Sequence, residues 1–106
     1  MVSIKEFQAL EFRVAEILEV KPHPNADRLY ILNIKVGEEQ KQVVAGIKLH
    51  YSETELIGKK VVVINNLESS IIRGVESQGM LLAASNEEKL TLITPERDIA
   101  SGAQVR

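Results

Sequence analysis

Short apolar runs separated by turn residues set the strongest limit on how this chain of 106 residues can fold. Runs that are rich in β-branched residues, or that alternate between apolar and polar residues, are typical of β-strands. We predict strands in six segments, at residues 13–20, 29–36, 42–45, 60–65, 80–84 and 90–93. The sequence therefore predicts an all-β protein.

Two of these segments show informative patterns. In 13–20 the apolar residues Ile17 and Leu18 are neighbours, so both faces of the strand are mixed. A strand of that kind needs a β-bulge or a strong bend. In 29–36 the apolar residues alternate regularly, at Tyr30, Leu32, Ile34 and Val36. That alternation indicates a strand with one buried face.

Two short helices are predicted from their capping residues. Ser3 is followed three residues later by Glu6, and Ser52 by Glu55, which is the spacing of a capping box. Gly58 lies just beyond the second helix and provides a stop signal. We therefore expect one helix at the N-terminus and one in the middle of the chain.

The central helix falls between the third and fourth predicted strands, which is the element order of an OB-fold. We predict a five-stranded Greek-key β-barrel with short helices and small N- and C-terminal additions, forming a single domain over residues 1–106. Residues 66–78 are expected to form a polar loop. An SH3-like barrel is the alternative, and it lacks a helix at that point.

The composition limits the compartment and the chemistry. The absence of cysteine excludes disulfides, thiol catalysis and cysteine-based zinc sites. Charged residues such as Lys5 and Glu6 interrupt the N-terminal segment, which therefore does not resemble a signal peptide. The longest apolar run, Val61 to Ile64, is too short to span a membrane. We expect a soluble, cytoplasmic protein that does not associate with a membrane.

No residue pattern indicates an enzyme. His23 and His50 have no neighbouring ligands, so no metal site or cofactor is predicted, and His23 is expected to be exposed in a loop between two prolines. Ser77 does not lie in the Gly-X-Ser-X-Gly turn of hydrolases, and the six glycines form no phosphate-binding loop. A binding module explains the sequence better than a nuclease or hydrolase does.

Charge also limits the class of partner. The formal net charge is −2, whereas affinity for phosphates comes from lysine and arginine. A nucleic-acid site on this chain must therefore be a local basic patch. Lysines and arginines near the predicted loops offer such a patch, although scattered lysines also occur on ordinary surfaces. The rings of Tyr30 and Tyr51 are candidates for stacking.

Four motifs extend over nearly the whole chain and resemble the tRNA-binding domain family. They are the segments Pro24–Tyr30, Val44–Ile47, Gly58–Leu67 and, above all, Arg73–Ala84. Shorter matches occur at Phe12–Ala15 and Thr94–Arg97. Members of this family include the C-terminal domain of many methionyl-tRNA synthetases, free-standing tRNA-binding proteins and the domain of the endothelial monocyte-activating polypeptide.

The resemblance implies an OB-fold that binds tRNA by its shape and backbone, usually as a homodimer, and that assists methionyl-tRNA synthetase or acts alone. By motif position, the residues expected at the tRNA-facing surface are Asn25, Arg28, Ser77 and Met80, with Lys41, Lys48 and Arg73 as electrostatic contacts. The residues expected in a dimer interface are Leu90, Leu92, Ile93, Ile99 and Val105. The resemblance implies no catalytic activity beyond that of an accessory subunit.

One departure from the family pattern bears on affinity. Relatives commonly have a proline and basic residues before the Arg-Gly pair, whereas this chain has Glu68–Ile72. Fewer cations predict weaker tRNA binding. A second function remains open, because one branch of the family resembles a peptide-binding secretion chaperone. The Ser-X-Gly-Met segment, residues 77–80, favours the tRNA-binding branch.

Overall fold

A computed structural model describes all residues, from 1 to 106. Two helices are present, α1 (Ile4–Gln8) and α2 (Glu53–Leu56). Ten strands follow in chain order: β1 (Phe12–Pro22), β2 (Tyr30–Val36), β3 (Glu39–Ala45), β4 (Lys60–Ile64), β5 (Ser70–Ile72), β6 (Val75–Ser77), β7 (Met80–Leu81), β8 (Ala83–Ser85), β9 (Leu90–Leu92) and β10 (Gln104–Val105).

The strands form one main sheet and two hairpins. Five strands of the sheet lie in the order β3-β2-β1-β4-β7, and β10 adds to β1 as a sixth. The hairpins are β5-β6 and β8-β9. All pairings are antiparallel, and the sheet curls into a half-barrel. The prediction of an all-β, OB-like fold is confirmed.

Strand β1 connects the two halves of the sheet, because it pairs with both β2 and β4. Its N-terminal half, Phe12 to Glu16, pairs with β4, and its C-terminal half pairs with β2. The register with β2 shifts between Ile17 and Glu19, which is the bulge that the mixed pattern predicted. The bulge lets one strand bend enough to serve both sides of the curled sheet.

The inward faces of the strands build the core. Ile17, Leu32, Ile34, Val43, Val61 and Val63 are fully buried, together with Leu56 of α2. Both helices have the predicted capping boxes, with Ser3 and Ser52 each accepting a hydrogen bond from the amide three residues later. Helix α2 contributes a core residue, whereas helix α1 has none.

Hydrogen bonds hold β3 against the end of β6 and the residue that follows it. The amide of Gln78 donates to the carbonyl of Gln42 at 2.8 Å, and the Gln42 amide donates to the Gln78 side chain at 2.9 Å. Two residues further along β3, the amide of Val44 donates to the Ser77 hydroxyl at 3.0 Å. Ser77 is only 3% exposed and also donates to the Gly79 carbonyl, so its hydroxyl lies within the fold.

The structure corrects one prediction about secondary structure. Residues 66–78 were expected to be a loop, but they contain the β5-β6 hairpin. Ile72 pairs with Val75, and the two residues between them, Arg73 and Gly74, have φ of 53° and 88°. Positive φ at both positions is the requirement of a two-residue type I′ turn, which glycine meets easily and arginine seldom does.

Three predictions of exposure are also wrong. His23 is 4% exposed rather than open to solvent in its loop, because the hairpin lies against it. Tyr30 is 4% exposed and points into the core, so its ring is not available for stacking. Leu92, expected in a dimer interface, is also a core residue.

Candidate nucleic-acid interface

Two loops carry three of the seven predicted tRNA contacts, Asn25, Arg28 and Arg73, and the structure brings these loops together. We call the β1-β2 loop, residues 23–29, and the tip of the β5-β6 hairpin, residues 72–75, the two-loop surface. The Arg73 guanidinium donates to the backbone carbonyl of Asn25 at 3.0 Å. In return, the side-chain amide of Asn25 donates to the carbonyl of Arg73 at 3.3 Å. Flanking loops of this kind border the ligand-binding face of OB-folds.

The imidazole of His23 joins the same two loops beneath this exposed pair. Its Nδ1 accepts a hydrogen bond from the backbone amide of Asn25 at 3.0 Å. Because Nδ1 is an acceptor, the proton of the neutral ring lies on Nε2, which donates to the Ile72 carbonyl at 3.0 Å. Sequence analysis missed this residue, since a lone histidine between prolines gives no sign that a distant hairpin will cover it.

Arg28 and Lys48 extend the basic character of the two-loop surface. The Lys48 amide donates to the Arg28 carbonyl at 3.4 Å, which places the two residues side by side. The ion pairs of the structure are Arg13–Glu11 and Lys60–Asp98. Arg28 and Lys48 therefore have no acidic partner, and their charges remain available to an anion.

Met80 and Ser77 occupy one segment but have different surroundings. Met80 is 47% exposed and lines an apolar cleft of about 190 Å³ with β3, β9 and the chain after β3. Ser77 is buried, and its hydroxyl is engaged with two backbone groups. A side chain on Gly79 between them would approach the Ile64 carbonyl to 3.1 Å, so this segment lies tightly against the barrel.

Lys41 does not join the other predicted contacts. It lies on β3 opposite Ile34, whereas the end of β3 near the two-loop surface pairs with Tyr30. Its Nζ donates to the Asn65 carbonyl at 2.8 Å. Asn65 also donates to Glu11 at 2.7 Å, and this hydrogen bond, with that from Arg13, lowers the pKa of Glu11. Lys41 therefore belongs to a network at the other end of the barrel.

The outer face of β1-β2-β3 carries a polar cleft that sequence analysis did not single out. Glu19, Asn33 and Gln42 are neighbours across the three strands, so their side chains form one row. They line a cleft of about 410 Å³ together with Lys21 and Gln40. Asn33 donates to Gln40 at 3.3 Å, and the amide nitrogen of Gln42 donates to the Glu76 carbonyl at 2.8 Å. The alternation in β2 predicts that Asn33 lies outside the core. The row of side chains could not be predicted in this way, because it depends on the register of three strands.

The remaining chemistry of the chain is limited. No three His, Cys, Asp or Glu side chains lie close enough together to hold a metal ion. The two helices have five and four residues, which is too short to span a bilayer. Among the acidic groups, Glu55 and Asp98 have lowered pKa values because they accept hydrogen bonds from Ser52 and Lys60 respectively.

Comparisons with known proteins identify relatives. Methionine–tRNA ligase of Thermococcus kodakarensis is 50% identical over 105 residues, which cover 99% of this chain and 14% of the ligase. The crystal structure of a MetRS related protein from Pyrococcus horikoshii matches with a TM-score of 0.93 and 31% identity, covering 100% of this chain and 98% of that one. The CsaA chaperone of Picrophilus torridus matches with a TM-score of 0.92 and 28% identity, covering 100% of both chains.

The chain spans 14% of the length of the first ligase relative, so it corresponds to one part of such an enzyme. A family described as "Putative tRNA binding domain" matches residues 12–104. That match includes the barrel, the two-loop surface and the segment 77–80. The family match and the relatives indicate a binding module, at most an accessory part of a synthetase. The chain belongs to the tRNA-binding domain family.

Proposed function

We propose that residues 1–106 act as one cytoplasmic domain that binds folded tRNA by its shape and sugar-phosphate backbone. The observation that carries this proposal is the two-loop surface. There, Asn25 and Arg73 hold two loops together, while Arg28 and the adjacent Lys48 present cations that form no salt bridge. Such cations supply the electrostatic part of nucleic-acid affinity.

The positions of the charged side chains explain how a chain with a net charge of −2 can still have a basic site. Lys41 and Lys60 are engaged at other parts of the barrel, where they bond to Asn65 and Asp98. Arg28 and Lys48 form no salt bridge of this kind. A net charge of −2 is therefore compatible with a local basic site, whose affinity should decrease with salt in proportion to the number of phosphates that it contacts.

The aromatic residues support recognition of folded RNA over single strands. Single-strand binding relies on exposed rings on which bases stack. Tyr30 is buried, and the Tyr51 hydroxyl accepts a hydrogen bond from the amide of Leu92 while the ring packs against the core. The other two rings, Phe7 and Phe12, stack on each other at 5.5 Å near the N-terminus. No ring remains at the two-loop surface as a stacking platform.

A homodimer is the second part of the proposal. Helix α1 contributes nothing to the core, and its apolar residues Ile4 and Phe7 are 70% and 38% exposed. Ile99, in the C-terminal segment, is 46% exposed. We propose that these terminal residues, with Ile93, replace the buried Leu92 in the expected interface. A two-fold pair would present two copies of the two-loop surface to one tRNA.

The ligase relatives suggest where the module works. The chain corresponds to a small part of methionine–tRNA ligases, and the MetRS related protein of similar length shares its fold. We propose that the module, free-standing or attached, assists methionyl-tRNA synthetase by holding tRNA. In that arrangement, all of the catalysis belongs to the synthetase.

Peptide binding is the second candidate function, and one observation favours it. The cleft beside Met80 is lined almost entirely by apolar residues, and a CsaA chaperone shares the fold. An apolar cleft suits a peptide side chain better than a phosphate. We rank this function below tRNA binding, because the cleft lies beside unpaired cations that a hydrophobic peptide does not need.

Filter binding of purified tRNA tests the proposal. We expect folded tRNA to bind at 50 mM salt more tightly than single-stranded RNA or DNA duplex of equal length, with an affinity that decreases as salt increases. Light scattering of the complex should give two chains for each tRNA. Equal affinity for all three nucleic acids would refute shape recognition, and tight binding of an apolar peptide without tRNA binding would favour the second function.

A further inference from the structure

We propose that His23 is a positioning residue, which fixes the β5-β6 hairpin against the β1-β2 loop so that Asn25 and Arg73 face tRNA together. This inference rests on the proposed function of the two-loop surface. His23 is not offered as a tRNA contact, because its ring is only 4% exposed. Its effect passes through the residues that it holds.

The geometry gives the ring one bond to each loop. Nδ1 accepts from the Asn25 amide, two residues away in the chain, and shapes the β1-β2 loop. Nε2 donates to the carbonyl of Ile72, which lies 49 residues away and directly precedes the hairpin turn. Apart from Ser77, His23 is the one buried polar or charged residue of the chain, and both of its ring nitrogens are satisfied. Such a bridge is suited to setting the distance between two loops.

The exposed contacts above the ring are less able to do this alone. Asn25 and Arg73 are both exposed, so water competes for their reciprocal hydrogen bonds. Arg73 also adopts a φ of 53°, which is unfavourable for a residue with a Cβ and must be maintained by its surroundings. The shielded bond from His23 to Ile72, the neighbour of Arg73, supplies such support.

Two substitutions test the two hydrogen bonds of the His23 ring one at a time. Asparagine places a polar atom at the position of Nδ1, so His23→Asn retains an acceptor for the Asn25 amide and loses the link to Ile72. Glutamine reaches as far as Nε2, so His23→Gln retains a donor to Ile72 and loses the local bond. A residue that merely stabilises the fold would be equally sensitive to either loss. A positioning residue is sensitive to the loss of the bond between loops.

The experiment measures tRNA affinity by filter binding for the wild type and both variants, well below their unfolding temperatures. We expect His23→Gln to bind within about twofold of the wild type and His23→Asn to bind about three- to tenfold more weakly, the factor for one lost hydrogen bond. The same pair of substitutions at His50, which is exposed, is the matched control and should have no effect. Adding Arg73→Gln should weaken binding by the wild type but add little in His23→Asn.

Amide hydrogen exchange of residues 70–77 separates this inference from the proposed function. Faster exchange in His23→Asn alone would establish the link between the loops, even if no form of the protein bound tRNA. Equal affinities and equal exchange for the two variants would overturn the positioning role. If both variants fail to fold, nitrogen NMR of the wild-type ring decides: a proton on Nε2 alone, undisturbed by tRNA, supports the bridge, and a proton on Nδ1 refutes it.

Discussion

The two-loop surface and the terminal face are organised in opposite ways; by the terminal face we mean helix α1 together with Ile93 and Ile99, the residues of the proposed dimer interface. The first is polar, and its exposed side chains are held by hydrogen bonds between residues 48 positions apart. The second exposes apolar side chains, since α1 has no buried residue and Ile4, Phe7 and Leu10 on it or beside it are exposed. Hydrogen bonds between distant residues hold the exposed side chains of the first region, whereas the apolar side chains of the second are not covered by the rest of the chain.

This difference indicates two different partners. Fixed polar groups with unpaired cations suit a polyanion, because little ordering is needed at the moment of binding. Exposed apolar side chains on a short helix gain stability only when a second apolar surface covers them. Contacts within a single chain hold the two-loop surface, whereas they leave the apolar side chains of the terminal face exposed. A second copy would cover them.

Substituting Ile4 tests the apolar side of the comparison and should give the largest change. Ile4→Asp places a charge at each of two symmetry-related positions in the proposed interface. In the proposed dimer both Ile4 side chains would be buried, so their loss should raise the dimer dissociation constant by about 100-fold or more. Affinity for tRNA should then fall by about tenfold or more, because two linked sites become one. Light scattering and filter binding measure the two effects.

Leu49→Asp is the matched control for this substitution. Leu49 is 68% exposed, nearly the same as the 70% of Ile4, but it lies near the two-loop surface instead of at the termini. The control should leave the mass in solution unchanged. A dimer that survives Ile4→Asp, or one that Leu49→Asp dissociates, would show that the terminal face is not the interface.

Charge reversal at Arg28 tests the polar side. Arg28→Glu removes a cation that has no acidic partner and adds a repulsive charge, so tRNA affinity at low salt should fall by about tenfold. The slope of affinity against salt should decrease by roughly one phosphate contact. Arg28 gives a cleaner test than Arg73, because glutamate at a positive φ would also strain the hairpin turn.

Lys89→Glu is the control, since Lys89 is exposed in the β8-β9 turn and has the same change in charge. A general electrostatic effect would weaken binding equally in both variants. A site at the two-loop surface requires that Arg28→Glu be the more damaging substitution. Unchanged affinity in Arg28→Glu would remove that residue from the site.

Local signals explain which parts of the fold could be predicted from sequence. The capping boxes at Ser3 and Ser52 depend on residues three apart, and the bulge near Leu18 follows from one strand's own pattern. The β5-β6 hairpin was missed because Arg73 is an unusual residue for a positive φ. Its place depends on His23 and Gln42, which are distant in sequence.

The candidate site was less predictable than the fold for the same reason. Motif positions located Asn25, Arg28 and Arg73, which the structure brings to one surface. Motif position does not report which way a side chain faces, and Ser77 proves to be buried. The burial of His23 and Leu92 likewise depends on packing between segments that no single stretch of sequence describes.

Substitution of Ser77 should change the stability of the fold. Ser77→Ala leaves the Val44 amide without its acceptor at the edge of the barrel, so the free energy of unfolding should fall by about 1–3 kcal/mol. Urea denaturation measures the loss, and Ser69→Ala in the exposed segment before β5 is the control. If Ser77 instead contacts tRNA directly, affinity at low temperature will fall while stability remains unchanged.

Substitution of Glu11 should give the smallest change in stability, and it tests neither the two-loop surface nor the terminal face. Hydrogen bonds from Asn65 and Arg13 lower its pKa in the folded chain, so its contribution to stability is present above the unfolded pKa of about 4.3 and is lost as pH falls through the lower folded value. Glu11→Gln should be less stable at pH 7 by less than about 1 kcal/mol, because the carboxylate is partly exposed to solvent.

That deficit should disappear at a second pH below the lowered pKa of Glu11, where protonation of the wild-type carboxylate removes the same advantage. Thermal unfolding at both pH values measures it, with Glu39→Gln as the control, since Glu39 is exposed and has no such hydrogen bonds. A deficit that grows on acidification would contradict the sign of the pKa change. Affinity for tRNA should not change in Glu11→Gln, because Glu11 and Lys41 share a network at the end of the barrel away from the two-loop surface.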